Sequence, residues 1–152
     1  MTTLDPTVRW QIDAACRDTL ARAARLTDLQ DHEGFVALFA DDAELVRPGG
    51  AVLRGHAAIL AAYRERPAQR LTRHLLAGTV VDVLGPDEAT AFTTVLLFSG
   101  DLKDALAPQG RPARGPAIVG SFDDVLRPGT DGRWRITRRR ASFDLQVATL
   151  AG

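Results

Sequence analysis

Apolar residues near the amino terminus recur at three- and four-residue steps: Val8, Ile12, Ala15, Cys16, Thr19, Leu20 and Ala23 form one stripe. Arg9, Arg17, Asp18, Arg22 and Arg25 fall mostly off it, so the spacing predicts a long amphipathic helix over about 8–28. Asp5 followed by Pro6 supplies its N-cap and first turn. After a break near Leu29-Gln30, Asp31 caps a short second helix expected to carry Phe35, Leu38 and Phe39, with Asp41-Asp42 ending it. Residues 43–47 and 52–54 flank Pro48-Gly49-Gly50 and read as a small hairpin. A third helix is expected from about Ala57 to Arg66, with Ile59, Leu60 and Tyr63 on its apolar face and Pro67 as its stop.

From Leu71 onward the pattern turns extended. Runs rich in β-branched residues at 72–84, 89–100, 117–127 and 133–147 are expected to form one antiparallel sheet, with hairpin turns at 85–88 and 128–132. Between Asp101 and Pro116 lies a Gly/Pro/Ala/Arg-rich stretch of about sixteen residues, against the ~4–6 typical of connections. It reads as either a disordered segment or a lid over a site. No repeat or linker interrupts the chain, so residues 1–152 read as a single domain. Three helices followed by a curved antiparallel sheet is an α+β order, and long strands bent around one long helix make a cone with a mouth.

Composition narrows the partners. With 45% hydrophobic and 25% charged residues the chain matches an ordinary soluble globular domain. Nineteen basic residues balance nineteen acidic ones, which argues against nucleic acid or an anionic membrane surface as partner. No apolar run approaches the ~18–20 residues of a membrane span, and the start Met1-Thr2-Thr3-Leu4 lacks a signal pattern, so a cytoplasmic location is expected. The single cysteine, Cys16, excludes an internal disulfide and reads as packing. No histidine pair has metal-ligand spacing, and no serine-hydrolase, P-loop or dinucleotide motif occurs, so neither a metal nor a cofactor is expected.

The stretch Leu26–Ala43, LTDLQDHEGFVALFADDA, resembles the signature of the SnoaL-like domains in the nuclear transport factor 2-like superfamily. Arg54-Gly55-His56, Arg73-His74-Leu75-Leu76 and Gly132-Arg133-Trp134-Arg135-Ile136 with Arg138-Arg139-Arg140 resemble later family segments in the same order, over about residues 8–145. The resemblance implies a cone-shaped α+β barrel. It also implies that Asp28 sits in the cone paired with His74, as in scytalone-dehydratase-like and bile-acid-dehydratase-like members, and that the last strand carries a pocket arginine. The superfamily hosts dehydratases, ketosteroid isomerases, epoxide hydrolases, polyketide cyclases, dioxygenase small subunits and non-catalytic carriers.

On this basis Asp28 and His74 are the candidate catalytic residues. A histidine held by a carboxylate in an apolar cavity exchanges a proton near neutral pH; period-2 alternation puts Thr72, Leu76 and Val80 on its face. Arg140, on the face of Trp134 and Ile136 unless a bulge flips the parity, is a candidate clamp for an oxyanion. Tyr63 and Phe98 complete the candidate substrate contacts, while Trp10, Phe92, Phe122 and Phe143 serve either a pocket or the core. His32 and His56, at helix starts, read as structural or solvated. The dehydratase tyrosine expected on the first helix is replaced by Ala23. The function that emerges is a cofactor-free dehydratase or isomerase acting on a small apolar carbonyl or polyketide/steroid-like compound; the alternative is a non-catalytic binding or assembly domain. A homodimer or homotrimer through the exposed sheet face is expected.

Overall fold

Asp5 opens helix α1 (Pro6–Leu29) as expected, its carboxylate accepting from the backbone N–H of Thr7 at 2.8 Å and of Val8 at 3.3 Å. The computed structural model describes residues 3–148. Ile12, Cys16, Thr19, Leu20 and Ala23 are buried along one side of α1, while Val8 is not. Helix α2 (His32–Val36) is capped by Asp31, which accepts from Gly34 N–H at 2.9 Å. It stops short of the expected end. Phe39 is instead the first residue of strand β1 (Phe39–Val46), and Asp41-Asp42 lie within that strand. The reason is tertiary: Phe39 pairs with Ile136, and both are completely buried.

Strand β2 (Val52–Arg54) closes the small hairpin in the register Glu44↔Arg54 to Val46↔Val52. Helix α3 (Gly55–Arg64) starts and stops about two residues earlier than expected, and Gly55 enters it with φ 78°, a value that suits glycine. Strands β3 (Arg70–Val83), β4 (Ala89–Asp101), β5 (Ala117–Pro128) and β6 (Trp134–Val147) follow the extended runs closely. All four pair antiparallel, but the hairpin does not stand apart. Strand β1 joins β6 in parallel, giving a six-stranded sheet of order β2-β1-β6-β5-β4-β3. The sheet is curved and unclosed, so the expected barrel is an open cone with β2 and β3 at its edges.

Helix α1 lies across the inner face, antiparallel to β3, and polar side chains lace the two together. Arg9 donates to the Val83 carbonyl at 2.9 Å, Arg17 to Thr79 at 2.6 Å, and Gln30 to Arg70 at 2.7 Å. The core fills one end of the cone, where Phe35, Phe39, Leu45, Ile59, Leu126 and Ile136 are buried together. None of the described helices is long and apolar enough to cross a membrane.

Two expectations about side-chain direction change here. A register shift between Leu76 and Gly78 leaves Thr72, His74 and Leu76 facing inward but turns Val80 outward, where it is 61% exposed. The stretch 102–116 folds back on the end of β4. Arg114 donates its backbone N–H to Ser99 at 2.7 Å and pairs with Asp104, and Arg111 reaches the Asp104 carbonyl at 2.9 Å. None of its residues lines the cavity described below.

Between β5 and β6 the backbones approach closely at Gly120, where a Cβ would collide with the Ser142 carbonyl oxygen. Gly120→Ala is therefore expected to destabilise the fold by about 1–3 kcal/mol, read from urea unfolding midpoints.

Candidate active site

The last turn of α1 brings Asp28 to the start of β3. Gln30, in the left-handed conformation at φ 56°, ends the helix while its side chain holds the Arg70 and Ala68 carbonyls. That anchor sets Asp28 opposite Thr72 and His74. The Asp28 carboxylate accepts three hydrogen bonds: His74 Nδ1–H at 2.6 Å and Thr72 Oγ1–H at 2.9 Å on Oδ1, and the His74 backbone N–H at 2.9 Å on Oδ2. The Asp28 and His74 side chains are 7% and 12% exposed.

Burial raises the pKa of the Asp28 carboxyl, and the helix end adds an unfavourable dipole. The hydrogen bonds from the His74 ring and backbone, its charge and the Thr72 hydroxyl outweigh burial and hold the group below the usual carboxylate value. An ionised carboxylate only accepts, so the proton of the neutral imidazole sits on Nδ1 and the lone pair on Nε2. Nε2 has no hydrogen-bond partner among the described residues, and His74 lines the cavity while Asp28 stands behind it. Asp28 therefore orients the ring, and the Nε2 side of His74 is left toward the cavity.

The cavity encloses about 470 Å³, within the ~300–1,000 Å³ of small-molecule sites. Ala24 and Thr27 of α1, Val95 and Leu97 of β4, and Phe35 and Tyr63 contribute to its wall. Tyr63 thus sits where expected, stacked on Phe35 with ring centroids 4.4 Å apart. Its hydroxyl makes no hydrogen bond among the described residues. Ala23 is buried in the core, so α1 presents no phenol to the cavity.

Phe98 and Arg140 do not line the cavity. Alternation along β4 points Val95 and Leu97 inward and leaves Phe98 on the outer face, 39% exposed. In β6 a register shift opposite Val125/Leu126 makes Thr137 the extra residue and reverses the parity. Ile136 and Arg139 consequently face inward, and Arg138 and Arg140 face solvent. Of the remaining aromatic candidates, Phe122 and Phe143 line the cavity, whereas Trp10 and Phe92 are exposed elsewhere.

Arg139 takes the inward position with a partner the sequence did not reveal. It grips Asp124 on the neighbouring strand with two bonds, Nε at 2.7 Å and Nη2 at 2.9 Å, and both side chains are buried. Burial pushes the Asp124 carboxyl upward against the pull of Arg139, and the guanidinium lies 4.1 Å from the Phe122 ring centroid. A carboxylate alternating with Phe122 and Leu126 on an inward face was the available signal. Arg47, Arg66 and Arg70 also line the cavity, and nothing local separates them from the other arginines of the chain. His56 donates to the Phe39 carbonyl at 2.8 Å and His32 packs edge-on to Tyr63. Cys16 is buried, which pushes its thiol up to about 12.

Three helices packed on a curved, unclosed six-stranded sheet match the nuclear transport factor 2-like cone fold. Residues 9–140 match the SnoaL-like domain, and the chain belongs to that family. No curated protein matches the sequence. A scytalone-dehydratase-like protein of Novosphingobium aromaticivorans superimposes with a TM-score of 0.80 at 18% identity, over 97% of this chain and 94% of that one. A hexachlorocyclohexane dehydrochlorinase of Novosphingobium barchaimii gives 0.78 at 17%, over 97% and 96%. ActVI-ORFA of Streptomyces coelicolor gives 0.72 at 22%, over 88% and 98%. At such identities the likeness is one of fold.

Asp28 has a folded pKa below its unfolded value, so its stabilisation is present above about pH 4 and is lost as pH falls through the folded pKa. Asp28→Asn is expected to cost about 1–3 kcal/mol at pH 7. In denaturant titrations across pH, the gap between the two proteins should narrow below about pH 4.

Proposed function

We propose that this protein is an acid/base enzyme of the dehydratase or isomerase type that needs no cofactor and acts on a small apolar carbonyl compound, polyketide- or steroid-like in skeleton. The observation that carries the reading is the Asp28–His74 dyad, with Nδ1 engaged and Nε2 unpartnered at the wall of an apolar cavity. His74 Nε2 takes a proton from the carbon beside the carbonyl, and the C–H electron pair passes into the enolate. The resulting imidazolium is stabilised by Asp28 at 2.6 Å. Return of the proton to a departing hydroxyl releases water and completes a dehydration; return to another carbon completes an isomerisation. The unpartnered Tyr63 hydroxyl supplies a candidate donor for the enolate oxygen.

A carrier that holds the same compound without turnover is the second reading. It is favoured by the alanine at position 23, which leaves α1 without an acid at the cavity wall. The two readings separate on exchange chemistry. With 2-tetralone as probe in deuterium oxide, the wild-type chain should accelerate deuterium uptake at the α-carbon, followed by proton NMR. His74→Ala should lower that rate by about 10²–10⁴-fold, and an unchanged rate would reject His74 as the base.

Self-association belongs to the same reading. Val80, Phe92 and Phe98 leave apolar surface on the outer face of β3 and β4, which supports pairing of two or three copies through the sheet. Light scattering should give a dimer or trimer mass; a monomer contradicts the expectation.

A further inference from the structure

The charges of the whole chain balance, but those of the cavity wall do not. Every charged side chain there is basic: Arg47 after β1, Arg66 after α3, Arg70 at the start of β3 and Arg139 in β6, alongside His74. Arg139 is matched by Asp124. Arg47, Arg66 and Arg70 make no ion pair and no side-chain hydrogen bond among the described residues. Arg66 is the most constrained of the three. Its guanidinium lies over the Tyr63 ring at 4.0 Å from the centroid, and its Nε is out of contact with solvent and has no acceptor.

A buried cationic donor without an acceptor is unfavourable, and the three guanidinium groups at this wall have no counter-charge among the described residues. Burial holds the Arg66 pKa below its ordinary value, and Arg70 and Arg47 push the same way. Asp28 is close enough to act on Arg66 electrostatically, but its carboxylate already takes three donors from β3. The exposed Arg70, Pro48 and Gly49 mark the rim, while Val95 and Leu97 line the interior. With one face stacked on Tyr63, the guanidinium of Arg66 offers its edge, and that planar fork matches a carboxylate.

We propose that the ligand of this cavity is an organic carboxylate whose anionic group is bound by Arg66, flanked by Arg47 and Arg70, and whose apolar skeleton extends inward toward His74. This deepens the reading of the cavity as a substrate site and supplies the orientation that proton transfer needs: one end fixed at the rim, the acidic C–H presented to Nε2. A neutral ligand of the same shape leaves the guanidinium groups of Arg47, Arg66 and Arg70 without a counter-charge.

The test uses 2-naphthylacetate and its methyl ester, titrated calorimetrically into the full chain carrying His74→Ala. That background removes the base, so the outcome is independent of whether His74 transfers protons. The acid should bind about 10–100-fold more tightly than the ester. Adding Arg66→Met should abolish that preference without weakening the ester, and Arg66→Lys should restore only part of it. Equal binding of acid and ester, or a preference that survives Arg66→Met, overturns the proposal. Competition by inorganic phosphate as strong as by the acid would also overturn it, in favour of a phosphate ligand. Should Arg66→Met fail to fold by circular dichroism, Arg47→Gln and Arg70→Gln at the rim carry the test. Each should weaken the acid by about 3–10-fold and leave the ester unchanged.

Discussion

The carboxylate of Asp28 ties the long helix to the strand that faces it, and the placement of the site depends on this junction. Its two oxygens take a ring N–H, a backbone N–H and a hydroxyl, all from Thr72 and His74 of β3. A carboxylate at the end of a helix opposes the helix dipole, and burial adds a desolvation cost; three donors from one strand offset both. The same bonds do two things at once. They dock the carboxyl end of α1 on β3, in line with the Gln30, Arg17 and Arg9 contacts further along, and they set the tautomer that leaves His74 Nε2 with a lone pair.

The sheet decides what else reaches the cavity. Extra residues in β3 and β6 interrupt the period-2 alternation, so each strand presents one parity before the irregularity and the other after it. In β6 this turns Arg139 inward, where a guanidinium is tolerable only with a matched anion. Asp124, directly opposite on β5, supplies it with a two-bond contact, and the Phe122 ring covers the guanidinium face. Arg139 is therefore held as part of the wall.

The balanced charge of the chain conceals an uneven distribution. Exposed arginines pair with carboxylates along the surface, as Arg17 does with Asp13 and Arg22 with Asp18. The cavity instead gathers guanidinium groups, and of these only Arg139 has a carboxylate partner among the described residues. An apolar enclosure with an excess of positive charge favours anions on entry, because the low-dielectric wall screens less than water does.

The order of elements was legible in the amino-acid sequence because its causes are local: the stripe from Ile12 to Ala23, the caps at Asp5 and Asp31, and four extended runs separated by turn residues. Asp28 and His74 were legible through the family resemblance, and the structure places them in contact. Tyr63 was legible as the cavity-facing residue of α3. The misplaced residues share a different cause. Phe39 left its expected helix for a pairing with Ile136, nearly a hundred positions away, and Phe98, Val80 and Arg140 changed face through strand parity and bulges. The meeting of Arg47, Arg66 and Arg70 at one rim likewise joins a hairpin, a helix end and a strand start. Periodicity and capping are properties of neighbouring residues and can be read from the chain; side-chain direction in a sheet and charge around a cavity are set by partners distant in sequence, and only the folded arrangement specifies them.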